Sequence, residues 1–280
     1  MTEILRLHAH DGVEIVMEIT GPANGPLVLL LHGAGQTRQS WRRVIERLVA
    51  KDMRVVAADM RGHGQSGWSL DGNYGYPRLV ADVETIVRHF AKPVILVGAS
   101  IGGKIAMCAA AYCDLPARAL VLIDIVPRTN VAAMDRLLDG MRPPMEGYES
   151  LDAAAKALTR GGEERFVPGS GERLRRSMRQ DEKGHWHWHW DPAFMRAKEQ
   201  GTDAVSSLAY MEEAARRTNV PLLLARGERS AIVTDDGVEA FRAIVPQLDV
   251  ALIAGAGHML VGDQNDSFAD HIEDFIARLA

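Results

Sequence analysis

The chain has 280 residues, 47% of them hydrophobic and 25% charged, with a formal net charge of −5 at pH 7. This composition fits a globular protein with one large core and room for an insertion, and it excludes a disordered or fibrous chain. The acidic balance, the lack of a Lys/Arg stripe interleaved with aromatics and the lack of an eighteen-residue apolar run argue against nucleic-acid binding and membrane insertion.

The predicted elements begin with a hairpin, Ile4 to His8 and Val13 to Ile19, turning at Asp11-Gly12. Leu27 to Leu31 is wholly apolar and bounded by Gly25-Pro26 and His32-Gly33, as expected of a strand buried on both faces. A helix is predicted from Ser40, as its cap, to Ala50, then a strand Val55 to Ala58 and a Gly-rich loop Asp59 to Ser69. After Tyr76-Pro77, residues Leu79, Val83, Ile86, Val87 and Phe90 fall on one helical face. Strand Pro93 to Val97, helix Ile101 to Cys113 and strand Ala119 to Ile123 continue an alternation that predicts a mostly parallel sheet covered by helices. Cys108 and Cys113 lie on different faces of that helix and read as small buried side chains, which with Met1-Thr2-Glu3-Ile4 as a non-leader sequence predicts a reducing, cytoplasmic setting.

Between Pro127 and about Asn219 no buried parallel strand is evident. Helical stretches are expected at Ala132 to Leu138, Ser150 to Leu158, Gly171 to Met178 and Asp203 to Arg217. Residues 128–218 are therefore predicted to be a mainly helical cap inserted into a core made of 1–127 and 219–280. Arg173, Arg175, Arg176 and Arg179 read as a solvated helix face. The sheet pattern resumes with Pro221 to Ala225, helix Asp235 to Val245, strand Asp249 to Ile253 and helix Ala269 to Leu279.

Gly98-Ala99-Ser100-Ile101-Gly102 sits where a strand turns sharply into a helix, the context in which a serine hydroxyl stands clear of the backbone beside free helix N–H groups. Such a serine needs a histidine base held by a carboxylate. His258, in Gly255-Ala256-Gly257-His258, follows the last predicted strand and would meet the serine above the sheet's C-terminal edge. The oxyanion of a tetrahedral intermediate needs converging backbone donors, assigned to the N–H groups of Ala34 and Ile101, with His32 shaping the loop.

With HGAG at His32 to Gly35, D-x-R-G-H-G-x-S at Asp59 to Ser66, G-A-S-I-G-G around Ser100 and G-x-G-H at His258, the chain resembles the α/β-hydrolases almost end to end. The resemblance implies an eight-stranded, mostly parallel sheet with helices on both faces, a cap over the site and a Ser-acid-His triad, with Asp59, Arg61 and His63 structuring the site's rim. The family's usual acid position falls in Gly227-Glu228-Arg229-Ser230-Ala231, where the expected carboxylate is absent. Asp124, ending the strand before, is the preferred substitute, since some family members take their acid there; Asp235, Asp236 and Glu228 are the alternatives.

The stretch His185-Trp186-His187-Trp188-His189-Trp190 alternates with period two. Three histidines on one side could ligate zinc, but a triad makes the metal redundant. The segment is read as aromatic, with Trp186, Trp188 and Trp190 lining the pocket or holding the cap down, and no metal or cofactor is expected. The expected activity is serine-dependent hydrolysis of a small to medium apolar carboxylic ester, a thioester or lactone being compatible. The alternatives are a carbon-carbon bond hydrolase or cofactor-free perhydrolase of the same fold, or a non-catalytic receptor. The expected partner is a small-molecule acyl substrate, and nothing in the sequence sets an oligomeric state.

Overall fold

The computed structural model describes residues 2–142, 144, 146–161, 166–196, 208–258 and 268–279. An antiparallel hairpin of β1 (Thr2–His8) and β2 (Glu14–Thr20) leads to β3 (Leu27–Leu31), a 3-10 turn (Arg38–Trp41), α1 (Arg42–Val49) and β4 (Arg54–Ala58). Then come α2 (Tyr76–Phe90), β5 (Val94–Ala99), α3 (Ile101–Tyr112) and β6 (Ala117–Ile123). The inserted segment holds α4 (Val131–Met141), α5 (Leu151–Gly161), a 3-10 stretch (Ser170–Ser177), a two-stranded ribbon of β7 (Met178–Gln180) and β8 (Trp186–Trp188), α6 (Ala193–Arg196) and α7 (Leu208–Arg217). The chain returns with β9 (Leu222–Gly227), α8 (Asp235–Ile244), β10 (Asp249–Ile253) and α9 (Ala269–Ala277).

Eight strands form one sheet in the order β1-β2-β4-β3-β5-β6-β9-β10, antiparallel at β1, β2 and β4 and parallel from β4 onward. The apolar strands are buried on both faces because successive side chains point to opposite sides. Leu27, Leu29 and Leu31 pack with α2, α3, α7 and α8, while Val28 and Leu30 pack with α1 and α9. Leu96, Leu122 and Leu224 repeat the first choice; Val97, Val121 and Leu223 repeat the second. One consequence matters for function: all the parallel strands end at one edge, where the loops after β3, β5, β6, β9 and β10 gather.

Several boundaries differ from the sequence expectation. Ser40 is not a helix cap: it lies inside the 3-10 turn, which Thr37 caps by accepting the Gln39 N–H (3.3 Å), and α1 starts at Arg42. The cause is Asp59, which accepts the Arg38 backbone N–H (2.7 Å) and pairs with its guanidinium, drawing the turn toward the sheet. The helix expected over Gly171 to Met178 is 3-10 instead. Asp152 ties its start by accepting the N–H groups of Gly169 and Gly171 (2.8 Å each), and Met178 leaves to pair with Trp188. Of the helix expected from Asp203, residues 203–207 lie outside the described residues.

Although α7 was expected in the cap, it packs in the core layer. Met211 lies 3.8 Å from the Cys108 thiol, and Tyr210 stacks on Tyr112 of α3 with centroids 4.5 Å apart. A separate apolar cluster joins Met141, Tyr148, Leu151, Leu174, Trp188, Trp190 and Phe194 of the inserted segment to Ala34 and Tyr74 of the core loops, with Ile101 at its margin.

Candidate active site

Ser100 is the first residue after β5, with φ 49° and ψ −118°, a backbone conformation unfavourable for a side chain with Cβ. The turn is tight enough that a Cβ on Gly98 would collide with the Gly102 carbonyl, and one on Gly102 with the backbone of Leu31 and His32. These two glycines therefore let α3 start directly beneath the serine. The Ser100 N–H is held by the Ile123 carbonyl (3.0 Å), and its own carbonyl accepts the N–H groups of Gly103 (3.0 Å) and Lys104 (3.2 Å). The Ile101 N–H, in the first turn of α3, has no acceptor among the described residues and carries the positive end of the helix dipole.

The loop after β3 supplies a second unused donor. Gly33 donates its N–H to Gln36 Oε1 (2.9 Å), Gly35 to His63 Nε2 (3.2 Å) and Gln36 to the Gly33 carbonyl (3.1 Å). Among the described residues, the Ala34 N–H of this turn has no acceptor, and Ala34 itself is buried. The same loop lies beside the serine: a Cβ on Gly33 would be 3.6 Å from Ser100 Cβ.

Buried neutral imidazoles fix this loop. His32 donates from Nδ1 to the Gly33 carbonyl (2.8 Å) and accepts the Met60 N–H at Nε2 (3.0 Å). His63 donates from Nδ1 to the Arg61 carbonyl (3.2 Å), leaving Nε2 to accept from Gly35. Burial pushes His32 below its ordinary value; burial and the neighbouring His32 and His189 push His63 well below it. Around them, Arg61 is fully buried and binds Asp82 through Nε and Nη2 (2.6 Å each) and Asp11 through Nη1 (2.8 Å). Ser66 donates to the Asp59 carbonyl (2.7 Å) and accepts the Val16 N–H (2.8 Å). Asp59, Arg61, His63 and Ser66 thus brace the rim.

Asp124 is the first residue after β6, 1% exposed and also at φ 49°. Its Oδ1 accepts the Gly227 N–H (3.0 Å); its Oδ2 accepts the Ser230 hydroxyl (2.6 Å) and His258 Nδ1 (2.6 Å). A proton on Nδ1 leaves the His258 Nε2 lone pair free, and Nε2 is buried with no hydrogen-bond partner among the described residues.

The other candidate acids do not reach His258. Glu228 turns to the Gly255 N–H (2.7 Å). Asp235 is exposed and pairs with Arg226, and Asp236 is exposed in the first turn of α8, which Thr234 caps by accepting the Gly237 N–H (3.2 Å). Helix initiation accounts for both aspartates.

The tryptophans of the inserted segment separate. Trp188 and Trp190 are buried and stacked, centroids 4.4 Å and planes 14° apart, and Trp190 lies over Gly35, where a Cβ would come within 2.5 Å of its ring. Trp186 is outside this stack; it packs at the margin of the same apolar cluster, half-buried under Arg175, 5.1 Å from its guanidinium carbon. The histidines diverge as well. His187 Nε2 pairs with Asp181 (2.9 Å), whereas His189 Nδ1 accepts the Gly64 N–H (3.0 Å), because the strand ends at Trp188 and the chain bends onto the core. Asp191 completes the docking: its N–H donates to the Gly62 carbonyl (2.8 Å), and Oδ2 accepts the Tyr74 hydroxyl (2.6 Å). Gln36, Ser230 and this Tyr74–Asp191 contact escaped the sequence reading. Of the three, only Ser230 had a signal, standing three residues beyond Gly227 in the stretch that lacks the expected acid.

A model of the alpha/beta hydrolase family matches residues 28–271. The chain is 27% identical to Esterase Rv0045c of Mycobacterium tuberculosis over 86% of this chain and 79% of that one. It is 28% identical to 2-(acetamidomethylene)succinate hydrolase of Mesorhizobium japonicum over 87% and 85%. With Protein phosphatase methylesterase 1 of Mus musculus it shares 30% identity over half of this chain, spanning 38% of the methylesterase. The crystal structure of E-2-(acetamidomethylene)succinate hydrolase shares the fold, with a TM-score of 0.78 at 24% identity over 98% of this chain and 100% of that one. Sheet order, elbow and family match agree, and the chain belongs to the alpha/beta hydrolase family.

Proposed function

We propose that the protein is a serine hydrolase that cleaves small to medium apolar carboxylic esters through an acyl-enzyme. The observation that carries the reading is the 2.6 Å contact of His258 Nδ1 with Asp124, which follows the strand next to the one that presents Ser100. In this mechanism Ser100 Oγ attacks the ester carbonyl carbon while His258 Nε2 takes its proton, and the resulting oxyanion is held by the Ala34 and Ile101 N–H groups. Collapse passes the proton from His258 to the leaving alkoxide. Water then enters, loses a proton to His258, attacks the acyl carbon and releases the acid, regenerating Ser100. Asp124 keeps the proton on Nδ1 and stabilises the imidazolium.

The apolar preference rests on the surroundings of the two donors. Ala34 and Ile101 belong to the cluster of Met141, Leu138, Trp188 and Trp190, and the described residues between 128 and 196 act as a cap over it. Thioesters and lactones present the same carbonyl to the same groups. That an esterase and another hydrolase stand among the relatives supports this class of reaction.

The test is an organophosphorus probe. A fluorophosphonate should add once to the wild type, by intact-protein mass spectrometry, and not to Ser100→Ala; a p-nitrophenyl ester series should be turned over by the wild type alone. Full labelling of Ser100→Ala, or hydrolysis surviving in it, refutes the assignment.

A further inference from the structure

Ser230 lies in the loop between β9 and α8, buried, with its backbone N–H on the Gly227 carbonyl (3.1 Å). Its hydroxyl oxygen has two partners: it accepts the Val233 N–H at 3.1 Å and is 2.6 Å from Asp124 Oδ2. The first contact occupies a lone pair. A hydroxyl has one proton and a carboxylate has none to give, so that proton points at Asp124. Oδ2 is also the oxygen that meets His258 Nδ1, and Oδ1 is taken by the Gly227 N–H. One carboxylate oxygen therefore serves both the histidine and the serine.

We infer that Ser230 is a positioning residue for the base: it fixes the rotation of the Asp124 carboxylate and draws off part of the charge that this carboxylate presents to His258. The inference rests on the proposed triad. A donor on Oδ2 stabilises the carboxylate whether or not His258 carries a second proton, but it weakens the pull of that carboxylate on the imidazolium. Without the hydroxyl the imidazolium is favoured, so the base is lost to protonation at a higher pH. Among the described residues, the other groups packed near His258 come from its own loop and from the loop between β9 and α8. In the proposed triad the elbow contributes the Ser100 hydroxyl, and the residues preceding His258 in its own loop, Gly255, Ala256 and Gly257, carry no charge. From the β9–α8 loop come Glu228, bonded to the Gly255 N–H (2.7 Å), and Arg229, whose backbone N–H donates to the Ala256 carbonyl (2.8 Å).

The experiment compares wild type, Ser230→Ala, Ser230→Thr and the near-isosteric Ser230→Cys, each checked for folding by circular dichroism. One arm measures the rate of fluorophosphonate labelling from about pH 5 to about pH 9. The other follows the low-field proton NMR signal of the His258 Nδ1–H. Ser230→Ala should move the acid limb of the labelling profile up by about half to one pH unit and displace the low-field signal. Ser230→Thr should restore both, and Ser230→Cys, a weak donor, should lie between; its shift also serves if the alanine variant does not fold. An unchanged acid limb and an unmoved signal in a folded hydroxyl-deleted variant overturn the inference, as does a threonine variant that behaves like alanine. A wild type that never labels at Ser100 defeats the proposed hydrolase instead, and the NMR arm still reads the Ser230 contact.

Discussion

Ser100 and Asp124 share a positive φ on adjacent strands: each is the first residue past its strand, Ala99 pairs with Ile123, and both residues have φ 49°. The Ser100 N–H is tied to the Ile123 carbonyl (3.0 Å) and the Asp124 N–H to Ala225 (2.8 Å), so the sheet itself holds both residues at positive φ, which for Ser100 at ψ −118° is an unfavourable conformation. Such residues cost about 1–3 kcal/mol each and persist where the surroundings overdetermine them.

A first prediction isolates that strain. Ser100→Gly and Ser100→Ala both delete the nucleophile, but only glycine is at ease at positive φ. The glycine variant should be more stable than the alanine variant by about 1 kcal/mol in denaturant unfolding. Equal stability would mean that the elbow is relaxed.

The acid is tested by substitution. Asp124→Asn should lower the single-turnover acylation rate by about 10³–10⁴, the scale on which a triad loses its correct imidazole tautomer. Asp235→Asn, Asp236→Asn and Glu228→Gln should acylate near the wild-type rate, since these side chains serve a helix start and a loop. A collapse in one of those three with Asp124→Asn unaffected would relocate the acid.

Trp190 should act on turnover as well as on stability. Its ring lies against Gly35, next to the Ala34 donor, while His63 accepts the Gly35 N–H. Trp190→Ala should lower kcat by about 10², approaching the loss of one oxyanion donor, and destabilise the protein by about 3–5 kcal/mol. Trp190→Phe should recover most of kcat. A variant with wild-type kcat and only a raised KM would reduce Trp190 to a pocket wall.

His189 predicts a pH dependence of stability. Burial, with His32 adding to it, pushes this imidazole down to about 4, and its Nδ1 accepts the Gly64 N–H. The unfolded chain therefore binds the proton first: the contribution is complete above about pH 6.5 and is lost as the pH falls toward 4. The wild-type Tm should drop by about 5–10 °C more over that interval than the Tm of His189→Asn. Parallel curves would show that His189 is not held neutral.

The fold was legible because Leu27–Leu31, Val94–Ala99 and the stretch Ala119 to Ile123 of β6 are apolar runs punctuated by Gly and Pro, a pattern that survives without any knowledge of partners. Ser100 and His258 were legible for a related reason, since a tight elbow and a Gly-rich loop need glycines at fixed offsets. What escaped depends on contacts between residues far apart in sequence. Ser230 meets Asp124 across 106 positions and His189 meets Gly64 across 125. The 3-10 turn at Arg38–Trp41 belongs to the same class, because Asp59, and not local propensity, decides where α1 begins. In the alternating His-Trp stretch, period two correctly gave an extended chain. It could not reveal that the strand stops at Trp188 and sends the following residues to different neighbours.

The seat of Trp190 over Gly35 also bears on how this scaffold tolerates recombination. A lid that merely covered a finished core could be exchanged for another lid with only specificity at stake. Here the segment after β8 supplies the Asp191 anchors to Gly62 and Tyr74 and the aromatic ring that backs the His32–Gln36 turn, so part of the core's own architecture is encoded in the insertion. Chimaeras that splice in a foreign insertion should keep residues 188–194 of this chain, and a truncated core without them would lose the support of that turn.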